Sequence, residues 1–352
     1  MMRFRLEDLR SFSVTTLLAL GASAEESQML TDCLIDAQGR TAYHQHQGVA
    51  RLATYARRFR AGGITLGAPL KVLRQTSSTA LVDGGNNIGQ VVSVRSMRMA
   101  IDKARHEGTG IVSARHSNHF GAASYYSLMA AYEGLVGLAF SIAGPEMPAW
   151  GGAVPLVGTN PWSVAVPRRS GKPIVLDLMN SVADKGLFQH MATLGQPLPS
   201  TWAVDPQGRT VTDPTAAADA LPLPIGGYKG YGIAVMVALL TGGLSGGRIG
   251  SAVTSPYQVD KAQGTSHLFV ALDPQAFGGL GVLQDGAAAL EDELRSSPRL
   301  PGVDAILLPG DPEWARLEDA RANGTEIPDE RVDQLRGLAA EIGVPFPEPL
   351  AT

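Results

Sequence analysis

From Thr79 onward the chain alternates short β-rich runs with segments of helical period: "TALVDG", "VVSVRSMRMAIDKARHEG", "TGIVSAR", a helix after Phe120, then "GLVGLAFSIAG". That alternation restricts the fold to an α/β layer structure, since each strand and helix has an apolar face to bury against another element. Further strands are expected at "WSVAVP", "KPIVLDL" and "HLFVALDP", and a helix over residues 229–241. "TWAVDPQGRTVTD" reads as two strands around an Asp-Pro-Gln-Gly turn. Residues 5–60 instead carry helical spacing, which Gly62 and Gly63 stop. Within them "SAEE" offers a capping box, with Ser23 as N-cap and Glu26 at N3. Two charged helices close the chain, near 313–322 and 329–342, and "PTAAADALPLPIGG" is the best linker candidate.

Composition removes several function classes. The 352 residues are 44% hydrophobic and 18% charged, ample for packed cores. A net charge of −4 leaves no basic excess to neutralise phosphates, so nucleic acid is not an expected partner. The single cysteine, Cys33, excludes an intramolecular disulfide and fits a reducing compartment. It lies beside Met29, Leu30 and Leu34 on an apolar face, where a thiol is buried filler. "TTLLALGASA" mimics a secretory segment, but Glu7 and Asp8 spoil the basic stretch such a signal needs. The longest apolar run elsewhere, "IAVMVALL", is far short of the ~20 residues of a membrane span. A cytoplasmic protein with no membrane association is expected.

The G-x-G-x-x-G dinucleotide fingerprint is absent, as is the phosphate-binding G-x-x-x-x-G-K-[ST] loop. A nucleotide would need another device. Gly226, Gly227, Gly230 and Gly232 surround Lys229 at the start of the helix over 229–241. A cation there opposes the helix dipole, which makes sense if an anion sits on the free N–H groups; otherwise Lys229 simply extends into water. Four histidines, His44, His46, His116 and His119, match no zinc spacing, and no metal is expected. His119 falls at a strand-to-helix junction, where ligands meet α/β sheets and an imidazole can pass a proton at neutral pH. A packed structural histidine is the alternative. Arg51 and Tyr55, four apart, share one helix face: a guanidinium fork suits a carboxylate and a phenol adds a second hydrogen bond. Arg57, Arg58 and Arg60 follow closely, so that face also reads as merely solvated. Arg168, Arg169 and Lys172 form a basic cluster open to a 2′-phosphate or to ordinary loop exposure.

Nine segments in order, "GVARLATY", "LVDGGNNIGQ", "SNHFG", "GTNP", "LDLMNS", "TWAVDPQGRTVTDP", "GGYKGYG", "HLFVALDP" and "PGD", span nearly the whole chain. In them the chain resembles the malate/L-lactate dehydrogenase-like oxidoreductases, with their ureidoglycolate, sulfolactate and diketogulonate members and Δ1-piperideine-2-carboxylate reductases. The resemblance implies a non-Rossmann α/β fold, with a helical domain from both chain ends and a central mixed-sheet cofactor domain. Its expected divisions are 1–75 with 310–352 as the helical, substrate-side domain, 76–120 with 275–309 as the dimerisation domain, and 121–274 as the NAD(P)-binding domain. It also implies a homodimer using NAD or NADP on a small carboxylate substrate. Carried over by position, His119 resembles the acid/base, and Arg51 and Tyr55 the substrate-holding pair. Ala143, Thr159, Asn160, Asp177, Leu178, Met179, Lys229, Pro309, Gly310 and Asp311 resemble the cofactor contacts.

Departures fall around the substrate. The family's Ser-His-Gly before the arginine helix is His46–Gln47–Gly48 here, and glutamine cannot exchange a proton. Gly85 replaces an acid, Met179, Asn180 and Ser181 stand in the "ATS" segment, and Leu187 replaces the lysine after Gly186. The expected activity is hydride transfer between nicotinamide and a 2-oxo or 2-hydroxy acid. An NADPH-dependent reductase of cyclic imine carboxylates (Δ1-piperideine-2-carboxylate or Δ1-pyrroline-2-carboxylate) is one alternative. A relative that binds a small molecule without catalysis is the other.

Overall fold

The computed structural model describes residues 1–41, 47–169 and 171–351. Its centre is a seven-stranded mixed sheet of β1 (Lys71–Gln75), β2 (Thr79–Asp83), β3 (Thr109–Ser117), β4 (Val136–Ser141), β5 (Trp162–Val166), β6 (Ile174–Leu178) and β7 (Thr265–Leu272), ordered β1-β2-β3-β7-β4-β5-β6. Only β2 and β3 run parallel, and the crossover between them is the helix α4 (Gly89–Glu107). Gly108 ends that helix in the left-handed conformation at φ 79°.

The register explains how helices lie so close to the sheet. Gly110 and Gly137 both oppose Ala271, and Gly137 opposes Ala165, so one row of minimal side chains crosses four strands on one face. A Cβ at Gly110 would collide with the Ala100 carbonyl of α4, and one at Gly137 with the Ser127 carbonyl of α5 (Ser124–Tyr132). The small row is what lets α4 and α5 dock side by side. Above them lies α2 (Ala24–Arg40), where Cys33 is buried with its sulfur 3.9 Å from the Tyr126 hydroxyl. Preceding it is α1 (Leu6–Ala19).

The capping box forms as expected: Glu26 N donates to Ser23 Oγ at 3.2 Å and Ser23 N to Glu26 Oε2 at 3.3 Å. Buried Glu26 does more, since its Oε1 accepts from Gly67 N at 3.1 Å and Asn87 Nδ2 at 2.8 Å. The chain ends meet: Met2–Phe4 pairs antiparallel with Thr325–Ile327, and α9 (Asp311–Asn323) and α10 (Asp329–Ile342) pack with the N-terminal helices. Between come α3 (Arg51–Arg60), α6 (Lys185–Thr193), α7 (Tyr228–Ala238) continued by a π-helical turn over Leu239–Gly243, and α8 (Leu280–Ser296).

Two readings of the sequence change. "TWAVDPQGRTVTD" yields one strand, Ala203–Val204, paired with Leu221–Pro222, while the run after the turn adds an isolated antiparallel bridge, Val204–Thr210, with Val211 N donating to the Ala203 carbonyl at 3.0 Å. Leu221–Pro222 comes from the expected linker, which folds as a 3₁₀ turn and strand with Ala220 in a small second core beside Phe188 and Leu198. Gly-poor apolar content is the reason: Leu and Ala there have a core to enter.

Arg58 is only 1% exposed and has no carboxylate partner among the described residues. Its guanidinium donates to the carbonyls of Gly63 (3.0 Å), Pro256 (3.2 Å), Gln258 (3.1 Å) and Lys261 (3.0 Å) and to Asn118 Oδ1 (2.9 Å). Asn118 in turn donates to the carbonyls of Asn86 (3.1 Å) and Asn87 (2.9 Å). Arg58→Ala would orphan these buried acceptors and is expected to lower unfolding free energy by about 3 kcal/mol or more, read as a shift of the urea midpoint. Arg57→Ala, on the exposed side of the same helix, is the control and should shift it by less than ~0.5 kcal/mol.

Candidate active site

The strand ends decide where a site can form. The end of β3, the start of β7, the end of β4, the start of β5 and the end of β6 lie side by side at one edge of the sheet. A cleft of about 700 Å³ runs along this edge, and residues of α2 and α3, with Thr41, Gln47 and Ala50, line its other side. This is the size range of small-molecule and cofactor sites.

Of the residues singled out from sequence, His119, Arg51, Gln47, Ala143, Thr159, Asp177, Leu178 and Met179 all line this one cleft. Others do not. Asn160 is fully buried below it, where its Oδ1 accepts from Ala143 N at 2.9 Å and its Nδ2 donates to the Ala234 carbonyl at 2.8 Å. It supports the floor by holding Ala143, a lining residue. Lys229 is exposed on the first turn of α7 and is not among the lining residues. Pro309, Gly310 and Asp311 dock behind the wall: Val175 N donates to the Pro309 carbonyl at 3.1 Å, and Asp311 takes Arg295 at 2.7 Å. Gly310 has φ 95°, and a Cβ there would press on Val175, itself a lining residue. His46 lies outside the described residues.

Tyr55 does not line the cleft. Expected to hold substrate beside Arg51, it is 2% exposed, and its hydroxyl lies 2.9 Å from His119 Nδ1 and 2.7 Å from Gln90 Nε2. Four residues along a helix share a face, but here Arg51 reaches the cleft while Tyr55 meets the histidine from behind. The His119 backbone N–H is held by Gln263 Oε1 at 2.8 Å. Backbone and ring are both pinned. Burial, reinforced by the Arg51 and Arg58 charges, holds the His119 imidazole well below its ordinary range, so it is neutral at pH 7. Arg51 makes no ion pair among the described residues, and its Nε has no hydrogen-bond partner.

His116 lies three residues before His119. It is exposed, has φ 51°, and bonds Asp83 Oδ2 at 2.8 Å. It shapes the turn from outside the cleft.

The wall can also be tested for a dinucleotide. Gly121, Ala122, Ala123, Ala143 and Gly144 leave a shallow surface where a flat ring can lie against backbone, and Ser141, Thr159 and Asp177 add polar groups. The N-terminus of α5 opens there, with Ser124 N donating to Asp177 Oδ2 at 2.8 Å. Although reachable by solvent, Asp177 sits deep enough that burial pushes its carboxyl up against that hydrogen bond. The lining fits an elongated ligand of mixed polarity.

Sequence reasoning missed Gln90, Gln263, Arg58 and His267. Gln90 and His267 lay in noted segments, "LVDGGNNIGQ" and "HLFVALDP", but nothing local marks the one as facing Tyr55 or the other as buried beside Phe120. His267 is fully buried, stacks on Phe120 with centroids 4.8 Å apart, and bonds Ser141 Oγ at 2.9 Å and Ser117 Oγ at 2.8 Å.

The mixed α/β fold is shared with known proteins over nearly the whole chain. The malate/L-lactate dehydrogenase family matches residues 4–336. Malate dehydrogenase of Pyrococcus abyssi is 34% identical over 350 residues, covering 97% of this chain and 95% of that protein. The (2R)-3-sulfolactate dehydrogenase (NADP(+)) of Chromohalobacter salexigens is 35% identical over 335 residues, covering 95% and 97%. The crystal structure of malate dehydrogenase from Entamoeba histolytica superposes with a TM-score of 0.93 at 28% identity, covering 98% of this chain and 99% of that one. Fold and relatives together define an oxidoreductase of the dehydrogenase kind. More narrowly, the chain belongs to the malate/L-lactate dehydrogenase family.

Burial pushes the His267 imidazole down to about 3, whereas in the unfolded chain it titrates near ~6.5. Between those values the unfolded state holds a proton that the fold excludes, so stability rises with pH and levels off above ~6.5. One such group contributes a slope of about 1.4 kcal/mol per pH unit within the window. Urea midpoints measured from pH 4 to 8 should show it, and His267→Gln should flatten it.

Proposed function

We propose that this protein is a cytoplasmic homodimer transferring a hydride between NAD(P) and C2 of a small 2-oxo or 2-hydroxy acid, with His119 as acid/base. One observation carries the reading: a neutral, pinned imidazole and a guanidinium free of any ion pair among the described residues line the same cleft. Arg51 grips the substrate carboxylate in its fork, which fixes the distance from C2 to the ring. His119 accepts the hydroxyl proton during oxidation and returns it to the oxygen during reduction. Gln47, with Oε1 buried and unpartnered, takes a hydrogen bond from the substrate in place of a proton-exchanging histidine. Ala143, Thr159, Asp177, Leu178 and Met179 would hold the coenzyme, which supplies the hydride chemistry when bound.

Charge pairing supports NAD rather than NADP. The basic cluster that could greet a 2′-phosphate is engaged: Arg168 with Glu291 at 2.8 Å, Arg169 with Asp285 at 2.6 Å, and Lys172 with Glu318. The homodimer is supported by exposed Ile233, Met236, Leu239, Leu240 and Leu244, an apolar stripe along α7 and its π-turn. Met236→Lys should lower the mass found by light scattering from that of two chains to one; an unchanged mass would locate the interface elsewhere.

The functional test is a panel of 2-oxo acids, 2-hydroxy acids and cyclic imine carboxylates followed by NADH or NADPH absorbance. Turnover of oxo acids is expected, with His119→Ala losing ~10²-fold or more in kcat while keeping coenzyme affinity. Turnover of imines alone, or coenzyme binding without turnover, would replace the proposal. The pH dependence adds a second check. Because the free-enzyme imidazole is held low, kcat/KM for oxidation should stay level through pH 6.5 and fall only well below it. A bound carboxylate offsets the Arg51 charge, so the inflection in kcat should lie at higher pH than that in kcat/KM.

A further inference from the structure

We propose that Gln90 is a positioning residue: acting through Tyr55, it fixes which ring nitrogen of His119 carries the proton. The inference rests on the acid/base role proposed above. Gln90 is fully buried at the start of α4, with Nε2 2.7 Å from the Tyr55 oxygen, and that oxygen is 2.9 Å from His119 Nδ1. An amide nitrogen only donates. Its hydrogen occupies the phenol oxygen, so the single Tyr55 hydrogen is directed to the one neighbour left, Nδ1. Nδ1 therefore accepts, and the neutral ring carries its hydrogen on Nε2, the ring nitrogen left for the cleft. In the reductive direction the Nε2 proton passes to the substrate oxygen while the Tyr55 hydroxyl proton passes to Nδ1, so the ring stays neutral, and the phenolate oxygen, held by the Gln90 amide, takes the balancing proton from water; oxidation runs the same transfers in reverse.

The orientation of the amide follows from bookkeeping of buried groups. As placed, Gln90 leaves one atom unpartnered, the acceptor Oε1. Turned over, it would leave an amino group with two donors unpartnered in the same dry site, which costs more. Local backbone serves the contact too. A Cβ at Gly89 would collide with the carbonyl oxygens of Asn118 and His119, so glycine is what lets the first turn of α4 abut the segment bearing the histidine. Gly121 completes the enclosure, its absent Cβ lying 3.5 Å from Gln90 Nε2.

The test uses ¹⁵N-histidine-labelled full-length protein and long-range ¹H–¹⁵N NMR at neutral pH, with His119 among the seven histidines assigned by comparison with His119→Gln. In the wild type, His119 should show an unprotonated Nδ1 and a protonated Nε2. Gln90→Met, which removes the donor at similar volume, should let the Nδ1-protonated form appear. It should also lower kcat by ~10-fold or more and displace the kcat pH profile, with KM for the acid and coenzyme affinity within ~2-fold. A wild-type ring protonated on Nδ1 overturns the proposal, as does a Gln90→Met protein with unchanged ring signals and pH profile. Loss of the functional reading has a different signature: His119→Ala would remain active whatever the NMR shows.

Discussion

Arg58 is a cation sealed inside the protein with no counter-charge among the described residues, and much of the site depends on that arrangement. Such a group is tolerated only where carbonyl oxygens converge on it, and four do, joined by the Asn118 side chain. The five contacts come from three separate stretches of chain, at Gly63, at Asn118 and over residues 256–261. They fix α3 against the turn carrying His119 and the loop leading to Gln263. A second effect is electrostatic. Burial first and Arg51 next keep the His119 imidazole neutral, and the Arg58 guanidinium adds a smaller push in the same direction.

The sheet contributes by geometry. Antiparallel pairing brings the end of one strand beside the start of the next, so Ser117, Thr265, Ser141, Trp162 and Leu178 share one edge. The glycine–alanine row across the face draws α4 and α5 inward, which sets Gln90 at one side of His119 and the N-terminus of α5 at the other. Small residues far from the chemistry thus determine what reaches it. A phosphate-binding glycine fingerprint is unnecessary where the cleft itself is built from strand ends and small side chains.

Much of this was legible in the sequence. The β/helix alternation, the Ser23–Glu26 capping box, the burial of Cys33 and the junction position of His119 are local properties, and local pattern carries them. Arg51 was legible as a helix-face cation. Arg58 was not: three arginines within four positions look like a solvated face, and only packing against residues 200 positions away reveals a buried hub. β1 ("KVLRQ") is exposed at every position and has no period to detect. None of the residues of α8 is buried, so it lacks a core-facing stripe. The Tyr55–Gln90 contact and the pairing of Ala203–Val204 with Leu221–Pro222 are tertiary choices that neighbouring residues do not encode.

The central claim is that an imidazole and a guanidinium converge on one organic acid. The most direct measurement is a crystal structure of the protein with NADH and oxamate, an unreactive 2-oxo acid analogue. The account predicts the oxamate carboxylate in the Arg51 fork, its carbonyl oxygen within hydrogen-bond distance of His119 Nε2, and its C2 against the nicotinamide. An analogue bound by another cation, with the His119 ring turned away from it, would contradict the account.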